Sequence, residues 1–301
     1  MQWYSQGRVA RAYRLAVGWE RYAVHRGNQL WAQRMRTFSS AVSKVRDQSP
    51  GSDVISLEQS AARAAAQEYW AQAVAYTREI IQRGSSSPGV RARALANRAT
   101  GLHTLGHLDV AVDAYDALIE DGEAFEYLAP NYRVAYLVSR EIVQWYRRVP
   151  INLQVVGDAT PDLAQAPVTW MAYWWLLGHI AWRRTPHRVA GIRASSHRTF
   201  GLDWGMDYDR ALWGLDLLAA GEGDDTELLE RRVRQALHDP VTLAFLGRSA
   251  WIDLNLDWLA FLAARRPWEA LSEGTRFSDW CDQFGYGGWA AYWRRTAAVL
   301  T

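Results

Sequence analysis

The stretch from Leu95 to Glu120 constrains the fold more than any other part of the chain, because it reads as two helices that cross at short range. Leu95 to Leu105 is amphipathic, Gly106 interrupts the pattern, and Leu108 to Glu120 is amphipathic again. A glycine at that place predicts a helix end, where the backbone turns left-handed without a Cβ penalty. Ala99 and Ala111 are the small side chains that let two antiparallel helices approach closely, and Tyr115 fills the groove that a small residue leaves. Leu102 and Leu118 complete the apolar face.

The small crossing residue recurs. Gly18, Ala61, Ala99, Ser139, Gly178, Gly214 and Gly247 follow one another at intervals of 43, 38, 40, 39, 36 and 33 residues. A second small residue sits twelve positions on in three of these units, at Ala73, Ala111 and Ala190. The punctuation agrees. Ser56 followed by Gln59 predicts a capping box, Pro88, Pro186 and Pro267 suit first helical turns, and Gly27, Gly84, Gly221 and Gly285 fall where helices should stop. Helices are expected near 3–25, 29–46, 57–69, 71–83, 89–105, 108–121, 131–148, 167–184, 187–199, 207–220, 225–238, 241–265, 267–284 and 288–300. No ladder of alternating β-branched residues competes with them.

The set Ala99, Leu102, Gly106, Ala111, Tyr115 and Leu118 resembles the tetratricopeptide repeat (TPR), clearly over 57–122 and loosely over 167–266. The resemblance implies an all-α fold, a right-handed superhelical stack of about 12–14 helices in antiparallel hairpins. It also implies a non-enzymatic scaffold that binds a peptide, a partner protein or a small ligand on its concave face. The arrays that sense ligands in bacterial transcriptional activators, including the maltose-regulon activator family, look similar. In those regulators separate domains bind nucleotide and DNA, and no motif for such a domain is recognisable here. A role in transcriptional regulation or signalling is the corresponding expectation. The chain divides on this reading into a basic N-terminal hairpin (1–50), TPR-like repeats (51–148), an interrupting loop (149–166) and tryptophan-rich, degenerate repeats (167–301). The loop holds Pro150, Gly157 and Pro161 and is read as a boundary between halves, a binding loop being the alternative.

Charge is uneven. The whole chain carries +2, whereas residues 1–50 hold nine basic side chains against Glu20 and Asp47, a net of +7. Arg8, Arg11, Arg14, Arg21, Arg34 and Arg36 are therefore candidates for contact with nucleic acid or an acidic partner, interleaved with Trp3, Tyr4, Tyr13, Trp19, Tyr22 and Trp31. The plainer reading is the solvated face of a capping helix. Lys44 is the only lysine, so arginine richness by itself does not point to nucleic acid.

Tryptophan is the compositional oddity, 17 in all with eight between Trp204 and Trp293, which raises the question of whether they fill a core or line a groove. As a groove, Trp213, Trp251, Trp258 and Trp289 would stack on a ligand, with Arg265, Arg266 and Arg294, and the adjacent Arg295, supplying polar contacts. As a core, they would fill gaps between irregular hairpins.

Other chemistry is weakly signalled. The single Cys281 allows no internal disulfide and no cysteine-based zinc site. His103 and His107 have the i, i+4 spacing of metal ligands but lack the glutamate of the zincin pattern and enclose Gly106. Asp224, Asp225, Glu227 and Glu230 faintly resemble the acidic motif of helical prenyl-diphosphate enzymes, though acids also suit a helix start. Cys281-Asp282 and Ser196-His197 are neighbours that do not face each other on a helix. No catalytic residue, metal site or cofactor is assigned; an all-helical enzyme is the third-ranked reading. Leu163 to Trp182 is uncharged for 20 residues, yet its central tryptophans suit a buried helix better than a bilayer span. Met1 precedes polar and basic residues and not an apolar leader core, so a cytoplasmic protein that engages no membrane is expected.

Overall fold

A computed structural model of the chain describes residues 54–84, 87–152 and 226–300, with isolated positions at 20, 22–24, 29, 32, 33, 35, 36, 176 and 217. Every regular element among the described residues is a helix. An N-terminal block holds α1 (Val54–Ala66), α2 (Trp70–Gln82), α3 (Pro88–Thr104), α4 (Leu108–Glu120), α5 (Gly122–Tyr127) and α6 (Pro130–Tyr146). A C-terminal block holds α7 (Thr226–His238), α8 (Pro240–Arg265), α9 (Pro267–Gln283) and α10 (Gly287–Ala297).

Starts and stops follow backbone chemistry. Proline opens α3, α6, α8 and α9, where its missing N–H removes one donor that would lack an intrahelical partner. The expected capping box does not form: the helix already begins at Val54, so Ser56 lies inside its first turn, and Ser60 Oγ donates to the Ser56 carbonyl. Five helices end through a residue with φ near +60 to +82°, namely Glu68, Gly84, Gly106, Arg148 and Gly285. In α6 the Arg148 N–H bonds to the Trp145 carbonyl at 3.0 Å and the Val149 N–H to the Gln144 carbonyl at 3.1 Å. This pair of bonds satisfies carbonyls that the last turn leaves open.

Consecutive helices pack together in the order α1–α2–α3–α4, each joined by a short turn and so antiparallel; α6 then packs on α4. Ala61, Ala73, Ala99 and Ala111 are all buried, as the crossing argument requires. Gly101 also serves a crossing, since a Cβ there would lie 2.6 Å from Val74 Cγ2 of α2. Ser139, proposed from the sequence for the same task, is only half-buried. Gly18, Gly178, Gly214 and Ala190 lie outside the described residues. The short α5 is not expected from the sequence. Asp121 caps it by accepting from the Ala124 N–H, while Arg91 of α3 donates to both Asp121 and Glu123.

The two blocks share one apolar core, to which Leu176 and Leu217 also belong. A close approach joins the α3–α4 turn to the start of α10: a Cβ on Gly106 would lie 2.7 Å from the Gly288 carbonyl carbon, and one on Gly288 would overlap Gly106 in turn. Trp289 Nε1 donates to the Thr104 carbonyl at 2.9 Å across 185 residues of sequence. The backbone N–H of Arg248 on α8 donates to Glu68 Oε1 at 3.0 Å. These contacts join the two blocks.

The loop expected over 149–166 is described only to Asn152. There the Asn152 N–H donates at 2.8 Å to Glu141, a 2 % exposed carboxylate that also receives Arg140 at 2.7 Å. Among the described residues no helix is long and apolar enough to cross a membrane. Most of the 163–182 stretch lies outside them, and its Leu176 is buried.

Candidate functional site: an arginine-lined cleft between the blocks

Three tryptophans expected at a ligand-facing groove are interior. Trp258 is 1 % exposed and Trp289 2 %, and Trp251 is buried with its Nε1 donating to the Leu237 carbonyl at 3.2 Å. Trp251 packs on Trp280 at 4.2 Å between ring centroids and Trp258 stacks on Phe261 at 5.8 Å, so these indoles are covered by protein. The physical reason is volume: each ring fills a gap between helices that no smaller apolar side chain would close. Trp213 lies outside the described residues.

The arginines grouped with those rings are dispersed. Arg265 covers the Phe261 ring at 4.2 Å, Arg266 is paired with Glu230 at 2.6 Å and Glu269 at 3.2 Å, and Arg294 is paired with Asp282. In the basic N-terminal stretch only Arg36 of the candidate residues is described, and its Nε lies 2.8 Å from Glu20 Oε1; Arg8, Arg11, Arg14, Arg21 and Arg34 fall outside. Asp224 and Asp225 also fall outside, and Glu230 serves Arg266.

His103 faces Tyr115, with Nδ1 3.4 Å from the hydroxyl, and desolvation lowers its imidazole to about 4, so it is neutral near pH 7. No group of three or more His, Cys, Asp or Glu side chains able to hold a metal is found among the described residues. The Cys281 thiol is pushed up to about 12 by burial and then by Asp282, which keeps it protonated and unreactive.

The structure assembles a different site. A cleft of about 370 Å³ opens between the start of α4, the end of α6 and the outer turn of α10. Helix α4 contributes Leu108 and Asp109, and the end of α6 contributes Tyr146, Arg147, Arg148 and Val149. From α10 come Tyr292, Arg295 and Thr296, one helical turn apart and therefore on one face. Arg147 Nε donates to Asp109 at 2.7 Å and its Nη1 to Gln144 at 2.9 Å. Among the described residues, Arg148 and Arg295 make no side-chain hydrogen bond or ion pair. With one carboxylate against three guanidinium groups, the cleft is positively charged and suits an anion.

Tyr146 links this cleft to the core beneath it. Its hydroxyl donates to Asp253 Oδ1 at 3.2 Å, and its ring meets Trp289 edge-on at 4.9 Å and Tyr292 at 5.7 Å. Desolvation, reinforced by Asp257 one turn along α8, raises the Asp253 carboxyl to about 7, against the opposing hydrogen bond from Tyr146. Burial pushes the Tyr146 hydroxyl well above its ordinary range, so it keeps its proton and remains a donor.

Sequence reasoning placed Arg295 near the C-terminal indoles but missed Arg147, Arg148, Tyr146 and Tyr292. The available signal was the pair Arg147-Arg148 at a helix end, directly before Val149-Pro150 and the long loop. Nothing in the sequence says that α10 returns to that helix end. Compared with models of known families, with curated proteins and with solved structures, the chain matches none.

Proposed function

We propose that this chain is a TPR-like interaction or sensor protein, a superhelical stack of hairpins whose last helix docks on the α3–α4 turn, and that it binds an anionic ligand or acidic partner segment in the cleft so formed. One observation carries the reading: two arginines without side-chain partners among the described residues, one from each block, line a cleft of about 370 Å³. A volume in that range is typical of small-ligand sites. The hairpin order α1–α4 and its buried alanines support the TPR-like part of the reading. The buried tryptophans move the binding role from an aromatic groove to this polar cleft.

Hydrogen–deuterium exchange on the full chain tests it with two pools of short peptides, one acidic and one basic, and with duplex DNA across a salt series. The reading expects the acidic pool to slow exchange over residues 145–151 and 291–297. Protection confined to residues 1–50 with DNA, falling steeply with salt, would replace it with a nucleic-acid role for the basic hairpin.

A further inference from the structure

We propose that the cleft takes a small organic phosphomonoester, its phosphoryl group held between Arg148 and Arg295 and its carbon part lying against the tyrosine rings. This rests on the reading of the cleft as the ligand site and adds the ligand class.

Charge balance comes first. Arg147 is already met by Asp109 at 2.7 Å, which leaves two guanidinium charges unanswered among the described residues of the cleft. A phosphomonoester carries about −1.5 to −2 near pH 7, whereas a single carboxylate or a sulfate ester carries one charge. A planar guanidinium also offers paired N–H donors that match phosphoryl oxygens. The remaining walls are not ionic: Tyr146 and Tyr292 are packed edge-on at 5.7 Å, with Leu108 and Val149 beside them. Such walls suit a carbon skeleton better than free phosphate.

The backbone gives a second, independent indication. Of the five helix ends that pass through a left-handed residue, three use glycine and two use a charged side chain. A Cβ in that conformation is disfavoured, so a non-glycine residue there needs a compensating role. Glu68 has one, because it accepts the Arg248 N–H at 3.0 Å and lies 3.7 Å from the Arg248 guanidinium, fastening α8 to the end of α1. Arg148 has no such partner among the described residues, and it lines the cleft. A ligand is the partner that the position lacks.

Calorimetric titration of the full chain in dilute buffer tests the proposal with phenyl phosphate, phenyl sulfate, phthalate and inorganic phosphate. Phenyl phosphate should bind roughly tenfold or more tighter than each of the others, a factor readily resolved in Kd. Arg148→Gly and Arg295→Gln should each weaken it by roughly tenfold or more, while Arg265→Gln, which does not line the cleft, leaves it unchanged. Arg148→Gly should at the same time raise the unliganded thermal midpoint, since glycine relieves the left-handed strain; a weaker binder that is also a more stable fold is not a damaged one. Equal binding of phenyl sulfate or phthalate, or undiminished affinity in the Arg148 and Arg295 variants, overturns the proposal. If phenyl phosphate is silent but an acidic peptide still protects 145–151 and 291–297 from exchange, the phosphoester is wrong and the cleft reading stands. If both are silent at the cleft, both fall.

Discussion

The N-terminal and C-terminal blocks solve the same packing problem by opposite means. In α1 to α4 the helices come close because Ala61, Ala73, Ala99 and Ala111 occupy the contacts and leave nothing to fill. In α8 to α10 the spaces between helices are occupied by Trp251, Trp258, Trp289 and Trp293, with Gly274 lying directly under the Trp293 indole. Both arrangements bury their contact residues. They differ in what breaks them: the first fails when a side chain grows, the second when one shrinks.

The junction between the blocks is the least forgiving place. Gly106 and Gly288 touch through their backbones, so Gly288→Ala should cost about 4 kcal/mol or more, or prevent folding, because neither partner has a flexible side chain to move aside. Urea unfolding would show it. Trp289→Ala should cost about 3–5 kcal/mol, from the cavity and from the Thr104 carbonyl left without its donor. In the alanine-packed block the direction reverses: Ala99→Leu should destabilise by about 1–3 kcal/mol although it adds apolar area, whereas the same substitution at a surface position would be nearly neutral. A mild Trp289→Ala together with a harmless Ala99→Leu would erase the contrast.

The blocks also titrate in opposite senses. Asp253, in the C-terminal block, has its carboxyl raised from 3.8 to about 7 by burial and by Asp257. The folded state then holds a proton that the unfolded chain releases, so this group's contribution is full below about pH 4 and is lost as pH rises toward 7. His103, in the N-terminal block, is lowered from 6.5 to about 4 by desolvation, so its contribution is present above about pH 6.5 and lost as pH falls toward 4. The two slopes oppose each other between about pH 4 and 6.5, and the parent protein should show little net dependence from this pair. Asp253→Asn should stabilise by roughly 2 kcal/mol at pH 8 and give no gain at pH 4, which leaves the His103 slope exposed. His103→Gln should leave the opposite slope. Denaturant midpoints across the pH range would separate them; parallel curves for both variants would contradict the assignment.

The smallest effect concerns the helix ends. Glu68→Gly should change stability by less than about 1 kcal/mol, because relief of left-handed strain offsets the lost bond to Arg248. Arg148→Gly has no side-chain bond to lose among the described residues and should stabilise by about 1 kcal/mol.

Local features were legible from sequence because their causes are local. Prolines at first turns, Gly84, Gly106 and Gly285 at ends, and amphipathic spacing placed the nine longer described helices within a few residues. The six-residue α5 escaped because it depends on Arg91, thirty residues from Asp121. The cleft escaped for the same reason on a larger scale: Arg148 and Arg295 meet only because α10 docks on the α3–α4 turn. Tryptophan shows the limit most clearly. Trp268 and Trp289 both stand in the first turn of a helix, yet one is 81 % exposed and the other 2 %, and only the partner surface decides which.

That pair supplies the most direct test of the docking on which the cleft depends. In one nitrogen–proton spectrum of the full chain, indole exchange with solvent is measured for Trp268 and Trp289. Trp289 Nε1–H, buried and bonded to Thr104, should exchange far more slowly than exposed Trp268. If Trp289 exchanges as fast as Trp268, α10 is not seated against the first block, and neither the cleft nor its ligand survives.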